Sequence, residues 1–210
     1  MSDQIETEKL EKLTEFETKY RVGPEILTEF KNIVGTIAKA EDAKFIYVEG
    51  PDEYWVSKGD KFLRYRRPSF GLDNNRSEVT MKTKPEGAKN NNKRREWNWR
   101  VDNTPEETIK EGFKDLGFEF NFSIWKSCHI YVLADATLVM YTVYDTTTGR
   151  PTKTDSFIEI EVHEETIHEK SHEDAMEIIA KYEKVLEPLG ISARNRLKKS
   201  LYEMYVRESK

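Results

Sequence analysis

Charged and apolar side chains alternate near the N-terminus of this 210-residue chain, where single residues separate Glu15, Glu17 and Lys19. Alternate side chains of a β-strand share one face, so these three charges lie together, opposite Phe16 and Tyr20. An antiparallel strand of this kind commonly turns its apolar face to a core and its polar face to water. Taken alone, the pattern predicts an ordinary amphipathic strand.

The same alternation recurs along the chain and predicts many strands and a few helices. A Gly-Pro pair at Gly23 opens the first helix, and a capping box at Thr104 with Pro105 opens the second. Ser171 and Ser192 are the predicted caps of the last two helices. This order of elements indicates an α+β fold with antiparallel strands. The predicted helices span about 24–40, 105–116, 172–187 and 192–207, and the predicted strands span about 14–21, 44–48, 61–67, 78–84, 94–101, 119–127, 128–134, 137–145 and 156–163, with a further short strand after a turn at 51–55.

Composition limits the possible classes of protein. The chain is long enough for one large domain or two small ones, and its 4 Trp, 10 Tyr and 10 Phe argue against a disordered chain despite a charged fraction of 35%. The net charge of −5 argues against a general nucleic-acid binder. The single cysteine, Cys128, excludes an intramolecular disulfide and suits a reducing compartment. No apolar membrane span or signal peptide is evident, so we expect a cytoplasmic protein.

Charges of opposite sign are segregated among the predicted strands. Acid pairs lie on the first and last strands, and cations dominate the strands between them. A sheet closed into a barrel with a polar lumen explains this segregation and the apolar opposite faces, and charges buried in such a lumen need one another or a ligand. The cationic positions are Lys19, Arg64, Arg66, Lys82, Lys84, Arg94 and Lys126, and the acidic positions are Glu15, Glu17, Glu96, Asp145, Glu159 and Glu161.

This combination of charges suits phosphate chemistry. Lysine and arginine together can hold a polyanion, and arginine can do so with two parallel hydrogen bonds. Clustered carboxylates supply the hard oxygen ligands that Mg²⁺ or Mn²⁺ accept. The pattern therefore predicts a site for a metal-bound triphosphate.

The ordered motifs resemble the CYTH superfamily, the triphosphate tunnel metalloenzymes, from about residue 14 to about residue 205. One departure is Cys128, which stands where the family often has an arginine in a K-x-R motif. A second departure is the looser C-terminal match at 198–202. The matching motifs are E-x-E-x-K at 15–19, D-x-Y at 52–54, L-R-x-R at 63–66, T-x-K-x-P in displaced form at 80–85, R-x-E at 94–96 and E-x-E at 159–161.

The resemblance implies an eight-stranded antiparallel β-barrel, the triphosphate tunnel, with helices packed outside. It also implies a single tunnel domain at 14–207 after a lead-in at 1–13. Most family members hydrolyse a phosphoanhydride with a divalent metal, and their substrates include tripolyphosphate, thiamine triphosphate, nucleoside triphosphates and RNA 5′-triphosphate ends. The class IV adenylate cyclases of the family make cyclic AMP and pyrophosphate instead.

Carried onto this sequence, the resemblance assigns roles to the charged positions. The substrate-binding set is Lys19, Arg64, Arg66, Lys82, Lys84, Arg94 and Lys126. The set that holds Mg²⁺ or Mn²⁺ is Glu15, Glu17, Glu96, Asp145, Glu159 and Glu161. The catalytic set is Glu161, Glu159, Lys84 and Arg66.

Three functions remain open at this point. The leading one is a metal-dependent triphosphatase acting on a small molecule that carries a triphosphate, with nucleic acid restricted to an RNA 5′-triphosphate end. The others are a class IV-type adenylate cyclase and a non-catalytic nucleotide- or polyphosphate-binding module. The expected assembly is a monomer or a homodimer.

Overall fold

The computed structural model describes residues 11–58, 62–67, 70–71, 77–82, 93–102, 104–145, 152–163 and 172–206. Its strands are β1 (Glu11–Val22), β2 (Lys44–Val56), β3 (Phe62–Arg66), β4 (Phe70–Gly71), β5 (Glu78–Lys82), β6 (Lys93–Arg100), β7 (Glu119–Val132), β8 (Ala136–Asp145) and β9 (Thr152–Val162). Its α-helices are α1 (Leu27–Ala40), α2 (Glu106–Asp115), α3 (His172–Val185) and α4 (Leu201–Tyr205), with 3-10 turns at Pro24–Ile26, Glu187–Leu189 and Ala193–Asn195.

The strands close on themselves. Within the described ranges, eight strands pair side by side in the order β3, β5, β6, β1, β9, β8, β7, β2, and β2 pairs in turn with β3. Every one of these pairings is antiparallel, and β4 adds two residues alongside β2. The predicted α+β fold with an eight-stranded antiparallel barrel is therefore confirmed.

The apolar face of β1, β8 and β9 packs under α1 and α3. Tyr20, Leu138 and Ile160 are fully buried there, against Phe30 of α1 and Ile179 of α3. Burial of such side chains is the main favourable term in folding, at about 25 cal/mol per Å² of apolar surface. Because side chains alternate along a strand, this packing turns the charged residues of β1 and β9 into the barrel.

Two smaller cores complete the molecule. Outside the barrel, α2 places Ile109 and Phe113 on Trp55 and Tyr65. Inside it, one end is filled by the side chains of Tyr54, Phe62, Phe122, Ile124, Cys128, Tyr141, Val143, Phe157 and, from α4, Leu201. Among the described residues, no helix is long and apolar enough to cross a membrane.

Two breaks between strands that the sequence predicts are absent from the structure. The predicted turn at 51–55 is wrong, because β2 runs unbroken through Pro51. The Pro51 carbonyl accepts a hydrogen bond from the Arg67 amide at 3.1 Å. Because the N–H and C=O of one strand residue point to the same neighbouring strand, the N–H that proline lacks would have faced β3, beyond the last residue pair between β2 and β3. The hydrogen bonds between β2 and β7 are therefore unaffected. The two strands predicted at 119–127 and 128–134 are likewise one strand, β7.

The predicted helix at 192–207 is also wrong. A 3-10 turn capped by Ser192 is followed by non-helical chain, and the Leu197 amide donates to the Lys19 carbonyl at 2.7 Å. Arg196 donates two hydrogen bonds to Glu183 of α3, at 2.5 and 2.6 Å. The contacts of this segment with β1 and α3 therefore outweigh its helical propensity. A helix begins only after Ser200, which caps the short α4.

Candidate active site

A cavity of about 280 Å³ lies inside the barrel. Every one of the eight barrel strands contributes to its wall, and the start of α4 lines it as well. The charged side chains that line it are Glu17, Lys19, Arg64, Arg66, Glu78, Glu96, Lys126, Glu159 and Glu161.

The acid and base pairs of β1 and β9 face each other directly. Glu17 lies opposite Glu161, and Lys19 lies opposite Glu159. The Lys19 ammonium is 2.7 Å from a Glu159 carboxylate oxygen and 3.9 Å from Glu17. Tyr141 donates a further hydrogen bond to Glu159 at 2.8 Å. Burial would raise the pKa of Glu159, but attraction to Lys19 outweighs it and holds that pKa below its ordinary value.

Asp52 joins two cations on the opposite side of the cavity. It is 1% exposed, and Arg66 donates to its two oxygens at 2.8 and 3.0 Å. The Lys126 nitrogen is 3.8 Å from Asp52 and lies over the ring of Tyr141. Burial would raise the pKa of Asp52, but Arg66 and Lys126 together lower it. Burial also lowers the pKa of Lys126, so its ammonium is costly to keep charged.

Arg64 connects β3 with the neighbouring strands β5 and β6. Its guanidinium donates to Thr80 at 2.9 Å and to Glu78 at 3.2 Å, and it is 3.8 Å from Glu96. The buried Arg64 Nε has no hydrogen-bond partner. An unsatisfied buried donor costs free energy, so this guanidinium retains capacity for an acceptor in the cavity.

Known structures share this architecture, although no protein-family profile and no curated protein sequence matches the chain. A conserved hypothetical protein from Pyrococcus furiosus is 25% identical, with a TM-score of 0.66 over 90% of this chain and 98% of that one. The PH1012 protein from Pyrococcus horikoshii is 26% identical, with a TM-score of 0.63 over 92% of this chain and 99% of that one.

A third structure, a candidate adenylate cyclase from Bacillus halodurans, is 16% identical, with a TM-score of 0.58 over 92% of this chain and 98% of that one. The chain has a CYTH-type triphosphate tunnel fold. The cavity inside the barrel is the tunnel of that fold, and the resemblance of the motifs is borne out at the level of structure.

The structure gathers most of the predicted site residues around the tunnel. Their roles in binding and catalysis stay predictions. Four further positions are placed only by their backbones: Glu15 opposite Arg94, Lys82 opposite Glu96, and Asp145 opposite Ile124. Lys84 lies outside the described residues. The predicted residues that line the tunnel are Glu17, Lys19, Arg64, Arg66, Glu96, Lys126, Glu159 and Glu161.

Three polar groups in the tunnel wall or directly behind it were absent from the predicted site. Asp52 orients Arg66, Glu78 pairs with Arg64, and Tyr141 contacts both Glu159 and Lys126. The D-x-Y motif marked Asp52, and its spacing from Tyr54 puts both on one strand face. No sequence motif marked Tyr141, because an aromatic residue on a strand usually belongs to the hydrophobic core.

The candidate metal ligands are of the right chemical type. Carboxylate oxygens are what Mg²⁺ and Mn²⁺ bind. Glu17 and Glu161 lie directly opposite each other on β1 and β9, with the Lys19 ammonium 3.9 Å from Glu17. Within the part of the chain that the structure describes, however, no group of three or more His, Cys, Asp or Glu side chains is arranged to hold an ion. Glu159 is engaged with Lys19 and Tyr141, so ion binding would require it to exchange partners.

Proposed function

We propose that this protein is a divalent-metal-dependent triphosphatase, which releases inorganic phosphate from a triphosphate bound in the tunnel. The observation that carries the proposal is the meeting of Lys19, Arg64, Arg66 and Lys126 with the opposed acids Glu17 and Glu161 around one cavity. Cations alone would suit simple anion binding. The opposed carboxylates supply the hard oxygen ligands that a divalent metal ion accompanying the anion would bind.

The cationic side chains would bind and orient the phosphate groups. Lys19, Arg64, Arg66 and Lys126 each lie within 4 Å of a carboxylate, which keeps them in place before the substrate arrives. A triphosphate would offer Arg64 and Arg66 bidentate acceptors, and such charge-assisted contacts are among the strongest hydrogen bonds in proteins. The same cations would offset the charge that develops on the phosphoryl oxygens in the transition state.

Glu17 and Glu161 would hold the metal ion, with Glu159 or Glu96 in support. When bound, Mg²⁺ or Mn²⁺ polarises phosphoryl oxygens and lowers the pKa of a coordinated water. The carboxylates of Glu161 and Glu159 would orient a water toward the terminal phosphorus. The water oxygen forms a bond to that phosphorus, the bridging P–O bond breaks toward the diphosphate side, and the water proton passes to a carboxylate or to solvent.

A substrate and product panel tests the proposal. The purified chain is incubated with Mg²⁺, Mn²⁺ or EDTA and with tripolyphosphate, thiamine triphosphate, ATP or GTP, while phosphate, pyrophosphate and cyclic nucleotide are measured together. We expect metal-dependent phosphate release that EDTA abolishes. Formation of cyclic AMP and pyrophosphate from ATP would instead indicate an adenylate cyclase, the activity that the name of the Bacillus halodurans protein gives. Tight binding without any product would favour a binding module.

A further inference from the structure

The tunnel wall has a charged part and an apolar part. The charged part belongs to β1, β3, β5, β6 and β9, and it extends to Lys126 on β7. Beyond Lys126, the residues of β7 that line the cavity are Cys128 and Ile130, and β8 contributes Thr137 and Val139. We call Cys128, Ile130 and Val139 the apolar wall.

The apolar wall lies beside the carboxylates rather than at a distance from them. Lys19, Glu159, Val139 and Ile130 are direct cross-strand partners on the four adjacent strands β1, β9, β8 and β7. Neighbouring strands are about 4.8 Å apart. A ligand that touches Glu159 or Lys19 is therefore within one or two strand spacings of apolar side chains.

This wall is the cavity-facing edge of the apolar filling at the end of the barrel, because Cys128 belongs to that filling and Ile130 and Val139 pack against it. Val143 and Phe157 are 0% exposed and serve as core. Ile130 and Val139 are only partly buried and face the open cavity. Apolar surface that faces water in a charged cavity gains nothing until a ligand with apolar atoms covers it.

We infer that the tunnel accepts an organic triphosphate, whose carbon-containing group lies against Cys128, Ile130 and Val139, in preference to inorganic tripolyphosphate. The inference rests on the proposed function. Tripolyphosphate is charged along its whole length, so an apolar wall offers it no partner. Cys128 contributes directly to this choice, because an arginine at its position would place a cation in the middle of the wall.

The test compares kcat/KM for tripolyphosphate, thiamine triphosphate, ATP and GTP between the wild type and a double variant, Ile130→Thr with Val139→Thr. Val139→Thr replaces a methyl group with a hydroxyl of similar size, and Ile130→Thr replaces an ethyl group with a hydroxyl. The control is Val101→Thr, which alters a partly buried valine outside the tunnel, in the core under α2. Circular dichroism and thermal unfolding check the fold, and Cys128→Ser, a one-atom change in the same wall, replaces the double variant if that does not fold.

We expect at least one organic triphosphate to exceed tripolyphosphate by about tenfold or more in the wild type. The double variant should lower that preference by about tenfold, mainly by raising KM, and leave tripolyphosphate unchanged. Val101→Thr should change neither. The inference fails if tripolyphosphate is the best substrate, or if the double variant lowers kcat/KM equally for all four compounds.

Failure of the proposed function gives a different result, namely no phosphate release from any compound. Calorimetric titration of the same four compounds with Mg²⁺ then decides the inference. Tighter binding of an organic triphosphate that is lost in the double variant would support it. Equal binding of all four compounds, or a preference that survives in the double variant, would overturn it.

Discussion

Arg66 and Arg67 are adjacent in the sequence, but they belong to two different regions of the molecule. Arg66 turns into the tunnel and binds Asp52. Arg67 turns outward, where it pairs with Glu53 and with Glu106 of α2. We call the second region the outer ion cluster, which consists of Glu53, Arg67, Glu106 and Lys110.

Both regions pair arginine with a buried carboxylate, so pairing alone does not mark a functional site. In the outer ion cluster, Lys110 approaches Glu53 at 2.7 Å and Trp55 donates to the same carboxylate at 3.3 Å. Helix α2 covers this group, and its charges hold the helix on the barrel. In the tunnel, the paired charges surround an open cavity. Space for a ligand, rather than the charge pattern, separates the two regions.

Loss of a carboxylate should have its largest effect in the tunnel. We expect Glu161→Gln to lower kcat by about a thousandfold, because a metal ligand supplies several kcal/mol of transition-state stabilisation. The unfolding temperature should stay near that of the wild type. The matched change in the outer ion cluster, Glu106→Gln, should leave kcat unaltered, and steady-state kinetics of both variants would show the contrast. Equal activity of Glu161→Gln and Glu106→Gln would remove Glu161 from the site.

Asp52→Asn should lower the free energy of unfolding more than any of the other substitutions. It leaves Arg66 and Lys126 near each other without their shared anion, and breaking such a buried pair costs about 3 kcal/mol. The lowered pKa of Asp52 means that its contribution is complete above about pH 4 and is lost as pH falls through its folded-state pKa. Urea unfolding at neutral and acidic pH would show the gap between variant and wild type shrink on acidification. A constant gap would contradict the pairing.

Arg66→Gln and Arg67→Gln test the comparison at neighbouring positions. Arg66→Gln should weaken substrate binding by about 30-fold, since a charge-assisted hydrogen-bonded contact is worth about 2 kcal/mol. Arg67→Gln should leave KM unchanged and cost only about 1 kcal/mol of stability, because its partly exposed ion pairs are screened by solvent. KM and thermal unfolding of the two variants would separate these effects. A larger loss of binding in Arg67→Gln would reverse the assignment.

Lys126→Arg should produce the smallest change of these substitutions, and the change should appear in the dependence of kcat/KM on pH. Burial lowers the pKa of Lys126, so its ammonium loses its proton at a lower pH than an exposed lysine would. Substrate affinity should therefore weaken as the pH rises toward that pKa. Arginine stays protonated throughout, so the variant should lack this alkaline decline in kcat/KM. An unchanged profile would show that another group causes the decline.

Much of the barrel could be predicted from local alternation. Charges at every second residue, with apolar residues between them, placed Glu17, Lys19, Glu159 and Glu161 on one face before any pairing was known. Because side chains alternate between the two faces of a strand, the spacing of two assigns each residue to a face. The order of the motifs then indicated that the sheet closes into a barrel. Helix α1 followed in the same way from its apolar spacing.

Long-range pairing could not be predicted in the same way. A proline normally ends a strand, and only the pairing of β2 with β7 and β3 shows how Pro51 is accommodated. The C-terminal segment has helical composition, but its contacts with Lys19 and Glu183 decide its conformation. The period of two separates Arg66 from Arg67, but only the fold shows which carboxylates each one meets, Asp52 for Arg66 and Glu53 with Glu106 for Arg67.

Hydrolysis in H₂¹⁸O tests the central claim most directly, because it reports which phosphorus the water attacks. With Mg²⁺ and the best triphosphate of the panel, we expect one ¹⁸O atom in the released phosphate and none in the diphosphate product. Glu161→Gln should release no labelled phosphate above background. Label in the diphosphate product, or unlabelled pyrophosphate formed with a cyclic nucleotide, would contradict attack of water on the terminal phosphorus in this tunnel.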